Sequence, residues 1–351
     1  MSIVHWYTNH PNAPPPPPLH KVSHLSIIGN GNVSLDVARI LLSDVRTLSK
    51  YDIPKSVLDI LSASKVEHIS IIARRGPLEA AFTIKELREL MNLPKVSMIP
   101  LHSSLTTPLS DSRVLTRQQM RMLQLLRTGS DHSSRPNSKS WSLEFFRSPI
   151  GLDLPTSPRS PRPSLSLAHT AVDPKSYYPK AIPTGEISTL PTDFVITSLG
   201  FHAEPVQSEF YDGGVGHLRN VLGRILNESG ETLKNVYASG WAGTGAKGVL
   251  ASTMLNAYSV ADTIVGDWQA SSKGRSVDPS PAAAPSFEVN EDPQKESIPE
   301  EVERGLKEGI VVQYEDWKTI DLEERFRGSI TGKERERLGW EEARDLFMKY
   351  R

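Results

Sequence analysis

The stretch "SIIGNGNVSLDVARILL", Ser26 to Leu42, decides the fold predicted for this chain. Two isoleucines lead into Gly29-Asn30-Gly31, and the residues that follow place apolar side chains at helical spacing. A buried strand, a glycine turn and a helix are the parts of a dinucleotide-binding unit. Glycine turns of this kind also occur where nothing binds, so the motif alone leaves a plain structural turn open.

Each small residue of the motif has a physical role in the nucleotide-binding interpretation. Gly29 permits the sharp turn, and Gly31 permits the backbone to approach a pyrophosphate closely. Ser34 stands where a small residue lets the helix pack on the strand. The N–H groups and the dipole at the start of the helix favour an anion. The pattern therefore predicts a phosphate site at the turn.

The end of the second predicted strand, "HISIIARR", indicates which dinucleotide would bind. An NAD site has Asp or Glu there for the ribose 2′-hydroxyl, whereas this strand ends in Arg74-Arg75. Two guanidinium groups suit a 2′-phosphate through charge-assisted hydrogen bonds. A solvated arginine pair is the alternative, but together with the glycine turn the pair favours NADP over NAD.

Composition excludes several classes of protein. The 351 residues contain 40 basic and 41 acidic side chains, and this balance argues against nucleic acid as a partner. The absence of cysteine excludes disulfides, Cys-ligated metal centres and a redox-active C-x-x-C motif, so any electrons must be carried by a bound cofactor. No apolar run is long enough to predict a transmembrane helix, and no metal site is expected.

Strands alternate with helices along the chain, which predicts an α/β fold with a doubly wound sheet. Predicted helices include Val33–Leu48 and Arg113–Thr128. The Ser/Pro-rich composition of residues 151–179 predicts a loop, and residues 271–300 have the composition of a linker. Residues 301–351 are highly charged and mainly helical in pattern.

Several segments in this order resemble one family. "GNGNVSLDVARILL", "ARRGPLEAAFTIKELREL", "SGWAGTGAKGVLASTM" and "DWKTIDLEERFRGSITGKERE" together resemble mitochondrial adrenodoxin reductase, the NADPH:adrenodoxin (ferredoxin) oxidoreductase family, including its fungal members. The resemblance runs from about Ile3 to Tyr350. It implies an FAD-containing enzyme that passes electrons from NADPH to a small acidic [2Fe–2S] ferredoxin. It also implies a monomer in the mitochondrial matrix, with peripheral contact to the inner membrane.

By position, the resemblance divides the chain into a doubly wound NADP-binding domain and part of a flavin-binding domain. Residues 1–20 would be a remnant of the FAD domain with a Pro-rich crossover, 21–200 the NADP domain, and 201–270 the C-terminal part of the FAD domain. The family's FAD half begins with a second glycine fingerprint, which this sequence lacks before Ile3. We therefore expect an N-terminally truncated chain without the N-terminal FAD-binding half, and no transit peptide is visible in it.

The resemblance also assigns residues to the NADP site. The pyrophosphate contacts would be Gly29, Asn30, Gly31, Asn32 and Val33, and the 2′-phosphate contacts Arg74 and Arg75. Glu86 would be an acidic contact to the nucleotide, although "KELRE" is also an ordinary salt-bridged helix face. Asp36 matches a family aspartate that is a candidate for proton handling; its alternative role is a carboxylate in the first turn of a helix.

The flavin and ferredoxin contacts lie further along the chain. Reduced flavin is negatively charged, so a helix N-terminus beside it is stabilising. By resemblance Trp241, Gly248, Val249 and Leu250 contact FAD, and Gly248 also touches NADP, whereas Met254, Ala261 and Ile264 are expected to be helix core. Arg113, Arg117 and Arg121 recur every four residues and would dock the acidic ferredoxin, unless they form only a solvated face.

Two other functions remain open from the sequence. One is an NADP- or ferredoxin-binding module without FAD and without turnover. The other is a different two-dinucleotide flavoprotein, such as a reductase like the glutamate synthase small subunit. The lack of cysteine-rich iron–sulfur motifs and the "RRGPLEAAFTIKELRE" match disfavour the second.

Overall fold

A computed structural model describes residues 2–106, 115–130, 139–155, 162–173, 175, 180–201, 209–246, 248, 250–272 and 298–350. The chain forms two compact units: unit 1 is Met1–Leu199 with Glu300–Arg351, and unit 2 is Gly200–Pro299. Most of the predicted linker, residues 273–297, lies outside the described residues. None of the helices in these described ranges is long and apolar enough to cross a membrane.

The helices and strands are numbered in chain order. The helices are α1 (Ser2–Tyr7), α2 (Asn32–Leu42), α3 (Val45–Leu48), α4 (Lys55–Ser62), α5 (Ile84–Met91), α6 (Ser103–Thr106), α7 (Arg117–Thr128), α8 (Trp241–Thr244), α9 (Leu250–Ser272), α10 (Glu300–Lys307), α11 (Tyr314–Thr331) and α12 (Trp340–Tyr350). The strands are β1 (His24–Ile28), β2 (His68–Ala73), β3 (Val96–Met98), β4 (Lys139–Phe145), β5 (Arg147–Asp153), β6 (Ser164–Val172), β7 (Ala181–Pro191), β8 (Phe194–Thr197), β9 (Tyr211–Asp212), β10 (His217–Leu218), β11 (Asn220–Val221), β12 (Arg224–Leu226) and β13 (Thr232–Tyr237).

Unit 1 is built on a five-stranded parallel sheet in the order β3-β4-β2-β1-β8. Alternate residues of its strands, such as Ile27, Ile71 and Leu143, are buried in one core with apolar residues of α2, α4, α5 and α7. A parallel sheet needs cover on its faces, because its strands are rich in apolar residues. The α/β fold predicted from the sequence is confirmed by this arrangement.

The opposite face of the sheet packs against antiparallel strands. Strands β5, β6 and β7 form a three-stranded sheet, and Leu165 and Leu167 of β6 pack on Ile72 of β2. The predicted loop over residues 151–179 is therefore wrong for Ser164–Val172. The serines of "SLSL" alternate with buried leucines, which is the two-residue period of a strand, and the low-complexity composition concealed that period.

The same face of the parallel sheet also carries buried polar side chains. The His68 ring hydrogen bonds with the hydroxyls of Ser70, Ser140 and Ser142, at 2.9 to 3.3 Å. Burial, with a smaller contribution from the charge of His24, lowers the pKa of His68 to about 4. His68 is therefore neutral at physiological pH, and its ring nitrogens serve this hydroxyl cluster.

The C-terminal helices α10 to α12 belong to unit 1, and the loop between α11 and α12 contacts the N-terminal part of this unit. Lys333 Nζ donates to the Ile53 carbonyl at 2.9 Å, and the Lys55 N–H donates to a Glu336 carboxylate oxygen at 2.7 Å. Asn9 Nδ2 donates to the Leu338 carbonyl at 2.8 Å. Each of these contacts joins residues that are more than 250 positions apart in sequence. The loop between α11 and α12 therefore returns the chain to the first sixty residues.

Unit 2 has a small core of its own. The strands β11, β12 and β13 form an antiparallel sheet, and Ile225, Leu233 and Ala238 are buried together. The helix α9 is attached to this sheet through Asp267, which accepts two hydrogen bonds from the Arg224 guanidinium and one from the Tyr237 hydroxyl.

Candidate functional site

The predicted glycine turn joins β1 to α2 in unit 1. Gly29 has a φ of +115°, and a Cβ added there would lie 2.1 Å from the Ser198 carbonyl oxygen. Its N–H donates to the Ile72 carbonyl at 2.9 Å, so the turn is held by the neighbouring strand β2. Only glycine fits this position, because both the backbone conformation and the space exclude a side chain.

The second glycine of the motif has the opposite environment. Gly31 is the N-cap of α2, and a Cβ added there would meet no atom within 4 Å. No side chain caps the helix, and among the described residues the N–H groups of Asn32 and Val33 have no acceptor, whereas the Ser34 N–H donates to the Gly31 carbonyl at 3.1 Å. Asn30 adds a buried Nδ2 atom with no hydrogen-bond partner among the described residues. Open space, N–H groups and the positive end of the helix dipole together make an anion site.

A second helix begins beside the turn. The Asn32 Oδ1 atom accepts a 2.7 Å hydrogen bond from the N–H of Thr83, which is the N-cap of α5. The Thr83 hydroxyl accepts in turn from the N–H of Glu86, in the first turn of α5. The structure therefore places Glu86 on the helix that adjoins the glycine turn, although no sequence pattern marks the Asn32–Thr83 contact.

Asp36 lies on α2 in a network of polar side chains. Its carboxylate accepts a 2.8 Å hydrogen bond from the Tyr7 hydroxyl and is paired with the Arg39 guanidinium, which also lies 3.4 Å from Glu89. Burial and the nearby carboxylate raise the pKa of Tyr7. The alternative role in the first turn of the helix is wrong, since Asp36 is the fifth residue of α2 and has side-chain partners of its own.

The arginine pair follows β2, which ends at Ala73. The Arg74 side chain is exposed and Arg75 is half-buried. Neither guanidinium forms an ion pair with another residue in the part of the chain that the structure describes. No carboxylate occupies the end of this strand, where an NAD site would have one. The arrangement leaves two positive charges available to an anionic ligand.

The predicted ferredoxin-docking arginines are only partly described. The helix α7 begins at Arg117, with Thr116 as its N-cap in a capping box with Gln119, so the predicted start at Arg113 is wrong. Arg117 and Arg121 are exposed and one turn apart on α7. Arg113 lies outside the described residues. The helix therefore presents two of the three arginines on one face.

The predicted flavin contacts lie in unit 2. Trp241 is the first residue of α8. Its ring is half exposed and stacks on Phe201 with 5.9 Å between the ring centroids. Gly248 has a φ of +91° and precedes α9, which begins at Leu250, a residue that is 86% exposed. Val249 lies outside the described residues. The structure thus places a half-exposed aromatic ring in the same unit as the start of a long helix.

The rest of α9 differs from the prediction. Met254, Ala261 and Ile264 were expected to be core, but all three are exposed, and so are Leu255 and Trp268. Val260 is buried and packs on Gly223, the one such position among residues 250–270 of the helix. The prediction was wrong because apolar periodicity identifies the apolar face of a helix but does not show whether another part of the chain covers that face.

Over the described ranges, no group of three or more His, Cys, Asp or Glu side chains is arranged to hold a metal ion. Unit 1 offers an anion site at the glycine turn and an arginine pair, and unit 2 by itself offers a half-exposed aromatic ring. The anion site at the glycine turn follows β1, and the arginine pair follows β2, its parallel neighbour. These two positions suit the phosphates of a phosphorylated dinucleotide.

Comparisons with known proteins agree with this geometry. No family model matches the chain. The chain is 32% identical over 346 residues to the NADPH:adrenodoxin oxidoreductase of Homo sapiens and 31% identical over 292 residues to the probable enzyme of Saccharomyces cerevisiae, both named as mitochondrial. The human match covers 96% of this chain and 66% of the relative, and the yeast match covers 76% and 59%. The chain therefore spans about two thirds of the length of the curated relatives it matches.

Solved structures give the same assignment. Mycobacterium tuberculosis FprA in complex with NADPH matches with a TM-score of 0.77 and 28% identity, over 99% of this chain and 72% of that chain. In sequence, the NADPH-ferredoxin reductase FprA of that organism is 32% identical over 267 residues, which is 76% of this chain and 57% of the relative. The chain belongs to the NADPH:adrenodoxin oxidoreductase family.

Proposed function

We propose that unit 1 binds NADP(H), and that the chain serves electron transfer from NADPH to a ferredoxin. One combined observation supports this proposal. The helix α2 has no side-chain cap and has open space at Gly31, and two arginines without ion-pair partners among the described residues, Arg74 and Arg75, follow the neighbouring strand β2. The pyrophosphate would lie against the turn at residues 29–33. The 2′-phosphate would bind Arg74 and Arg75, and Glu86 would contact the nucleotide from α5.

The choice of NADP over NAD depends on charge at the end of β2. Arg74 and Arg75 favour a 2′-phosphate through bidentate, charge-assisted hydrogen bonds. A carboxylate at the same place would instead accept a hydrogen bond from a free 2′-hydroxyl. The FprA structure that this chain resembles is described as a complex with NADPH, which supports the same choice.

FAD is the cofactor that this reaction requires. When bound, FAD would accept a hydride from NADPH and release its electrons one at a time. The residues of unit 2 fit such a group, because Trp241 offers a half-exposed aromatic ring and the start of α9 offers backbone N–H groups beside the exposed Leu250. We assign Trp241, Gly248, Val249 and Leu250 to the flavin. Asp36, on α2 of unit 1, is the residue proposed for proton handling.

The electron acceptor in this proposal is an acidic [2Fe–2S] ferredoxin. Exposed Arg117 and Arg121 on α7, with Arg113 before them in sequence, would attract and orient it. The human and yeast relatives are both named as mitochondrial, which supports a mitochondrial location for this chain, and the proposed compartment is the matrix. Steering by exposed charges weakens with salt, so reduction of the ferredoxin is expected to slow as ionic strength rises.

A second function is an NADP-binding module without FAD and without turnover. The open apolar face of α9 favours it, since Leu255 and Trp268 are exposed in unit 2 rather than covered. The two functions share the nucleotide site of unit 1. They differ in whether unit 2 retains a flavin.

The test begins with the full chain mixed with excess FAD and passed through gel filtration. A retained flavin absorbance band that NADPH bleaches, and NADH bleaches far more slowly, supports the reductase. Calorimetric titration with NADP+ then compares Arg74→Ala and Arg75→Ala with Arg46→Ala, which removes another exposed arginine. Loss of one charge-assisted contact should weaken NADP+ binding about 10- to 100-fold in the first two variants and leave it unchanged in the third. Binding without a retained flavin selects the module, and no NADP+ binding overturns both functions.

A further inference from the structure

The backbone of the arginine pair is fixed by residues from the antiparallel sheet. The Thr170 hydroxyl donates a 2.8 Å hydrogen bond to the Arg74 carbonyl, and the Phe146 N–H donates a 3.3 Å hydrogen bond to the Arg75 carbonyl. Thr170 and Phe146 are joined to each other, because the Thr170 N–H donates to the Phe146 carbonyl at 3.0 Å. We call these two residues the clasp. The clasp donates hydrogen bonds to two consecutive carbonyls, those of Arg74 and Arg75, which follow the last residue of β2 that pairs with β4.

Local irregularities bring the clasp to this position. Phe146 lies between β4 and β5 with a φ of +55°, which turns the chain from the parallel sheet into the antiparallel one. Its ring lies against Gly76, where an added Cβ would be 2.4 Å from the Phe146 Cζ atom. The pairing of β6 with β7 shifts register between Ala168 and Thr170. Such a bulge redirects the side chains that follow it, and Thr170 is the first residue paired after the shift.

The Thr170 hydroxyl is not needed for the sheet itself. The Thr170 N–H already bonds the Phe146 carbonyl, and the side chain is buried, with 7% of its surface exposed. Valine has nearly the same shape but no hydroxyl, so it would keep the packing and leave the Arg74 carbonyl without the Thr170 donor. The hydroxyl therefore acts on the conformation of Arg74, whose own side chain is exposed.

Fixing the backbone matters for a ligand contact made by long side chains. An arginine loses rotamer and backbone freedom when it binds, and a backbone that is already ordered reduces that loss. We propose that Thr170 is a positioning residue that strengthens recognition of a 2′-phosphate by Arg74 and Arg75. This inference rests on the proposed NADP-binding function. It makes the antiparallel sheet a determinant of the preference for NADP over NAD.

Thr170→Val and Thr170→Ser in the full chain form the test, since serine retains the hydroxyl and valine retains the shape. Calorimetry would measure the affinities of 2′,5′-ADP and 5′-AMP, which differ by the 2′-phosphate alone. We expect Thr170→Val to weaken 2′,5′-ADP binding about 5- to 10-fold, as the loss of one positioning hydrogen bond would do, and to leave 5′-AMP binding unchanged. Thr170→Ser should restore most of the difference between the two ligands.

The outcomes distinguish the positioning role of Thr170 from the proposed binding of NADP by unit 1. If Arg74→Ala weakens 2′,5′-ADP binding but Thr170→Val does not, the positioning role is overturned and NADP binding stands. Equal weakening of both ligands by Thr170→Val assigns a purely structural role and also overturns the inference. If neither Arg74→Ala nor Arg75→Ala changes 2′,5′-ADP binding, the proposed 2′-phosphate site itself is wrong. Thermal unfolding of each variant shows whether the fold is retained.

Discussion

Replacing Gly29 by alanine should destabilise unit 1 far more than its small size suggests. The new Cβ would lie 2.1 Å from the Ser198 carbonyl oxygen, so one of the two backbones must move by about 1 Å to reach an ordinary contact. That movement disturbs the 2.7 Å hydrogen bond from the Ser198 N–H to the Ile28 carbonyl, with a net loss of about 1 kcal/mol. A non-glycine residue at a φ of +115° adds about 1 to 3 kcal/mol.

The two contributions together predict a loss of about 3 kcal/mol in the free energy of unfolding. For a unit of this size the melting temperature should fall by about 6 to 12 °C. Denaturant unfolding followed by tryptophan fluorescence measures the change, because Trp141 is fully buried in unit 1. A Gly29→Ala variant as stable as the parent would refute the steric argument.

Gly31→Ala is the matched control in the same motif. Its Cβ would enter open space at an ordinary φ of −86°, so stability should change by less than about 0.5 kcal/mol. The methyl group would instead occupy the space proposed for the pyrophosphate, and NADP+ binding should weaken at least about 10-fold. Unchanged NADP+ affinity in this variant would contradict the proposed pyrophosphate site at residues 29–33.

Three further predictions concern side chains with perturbed environments. The pKa of His68 in the folded protein lies below that of an unfolded histidine, so protonation of His68 favours the unfolded state. The free energy of unfolding should therefore fall by up to about 3 kcal/mol as the pH drops from about 6.5 to about 4. His68→Gln should remove this part of the acid sensitivity, and the control His20→Gln should leave it in place. Asp267→Asn should destabilise unit 2 by about 2 kcal/mol in urea unfolding, since hydrogen bonds to the Arg224 guanidinium hold the pKa of this carboxyl below its usual range. Tyr7→Phe should cost about 1 kcal/mol in the same assay by removing the bond to Asp36, and an unchanged midpoint would show that this bond adds nothing.

The parts of the site that the sequence predicted are local in the chain. Gly29, Gly31 and the helix after them follow one another, and the strand ending in Arg74-Arg75 has a continuous apolar pattern, so each could be recognised in a single window. The parallel arrangement followed from alternating strands and helices. These features depend on backbone sterics and periodicity, which neighbouring residues set.

The contacts that complete the site join residues far apart in sequence. Asn32 meets Thr83 and Thr170 meets Arg74 across 51 and 96 positions, and no local pattern marks either pair. The strand β6 was missed because serine and proline dominate its surroundings, although its leucines alternate regularly. Tertiary packing decides these contacts, so a single sequence does not reveal them.

The return of the chain to unit 1 has a consequence for how the protein is made. Lys333 and Glu336 contact Ile53 and Lys55 of the same unit, yet all of unit 2 is synthesised between them. On the ribosome the glycine turn and its sheet therefore emerge long before the C-terminal segment of the same unit. Closing contacts between such distant residues is slow, so the nascent first part must remain soluble while unit 2 is translated. During this interval the Ile53 carbonyl and the Lys55 N–H, which later bond to Lys333 and Glu336, must bond to water instead.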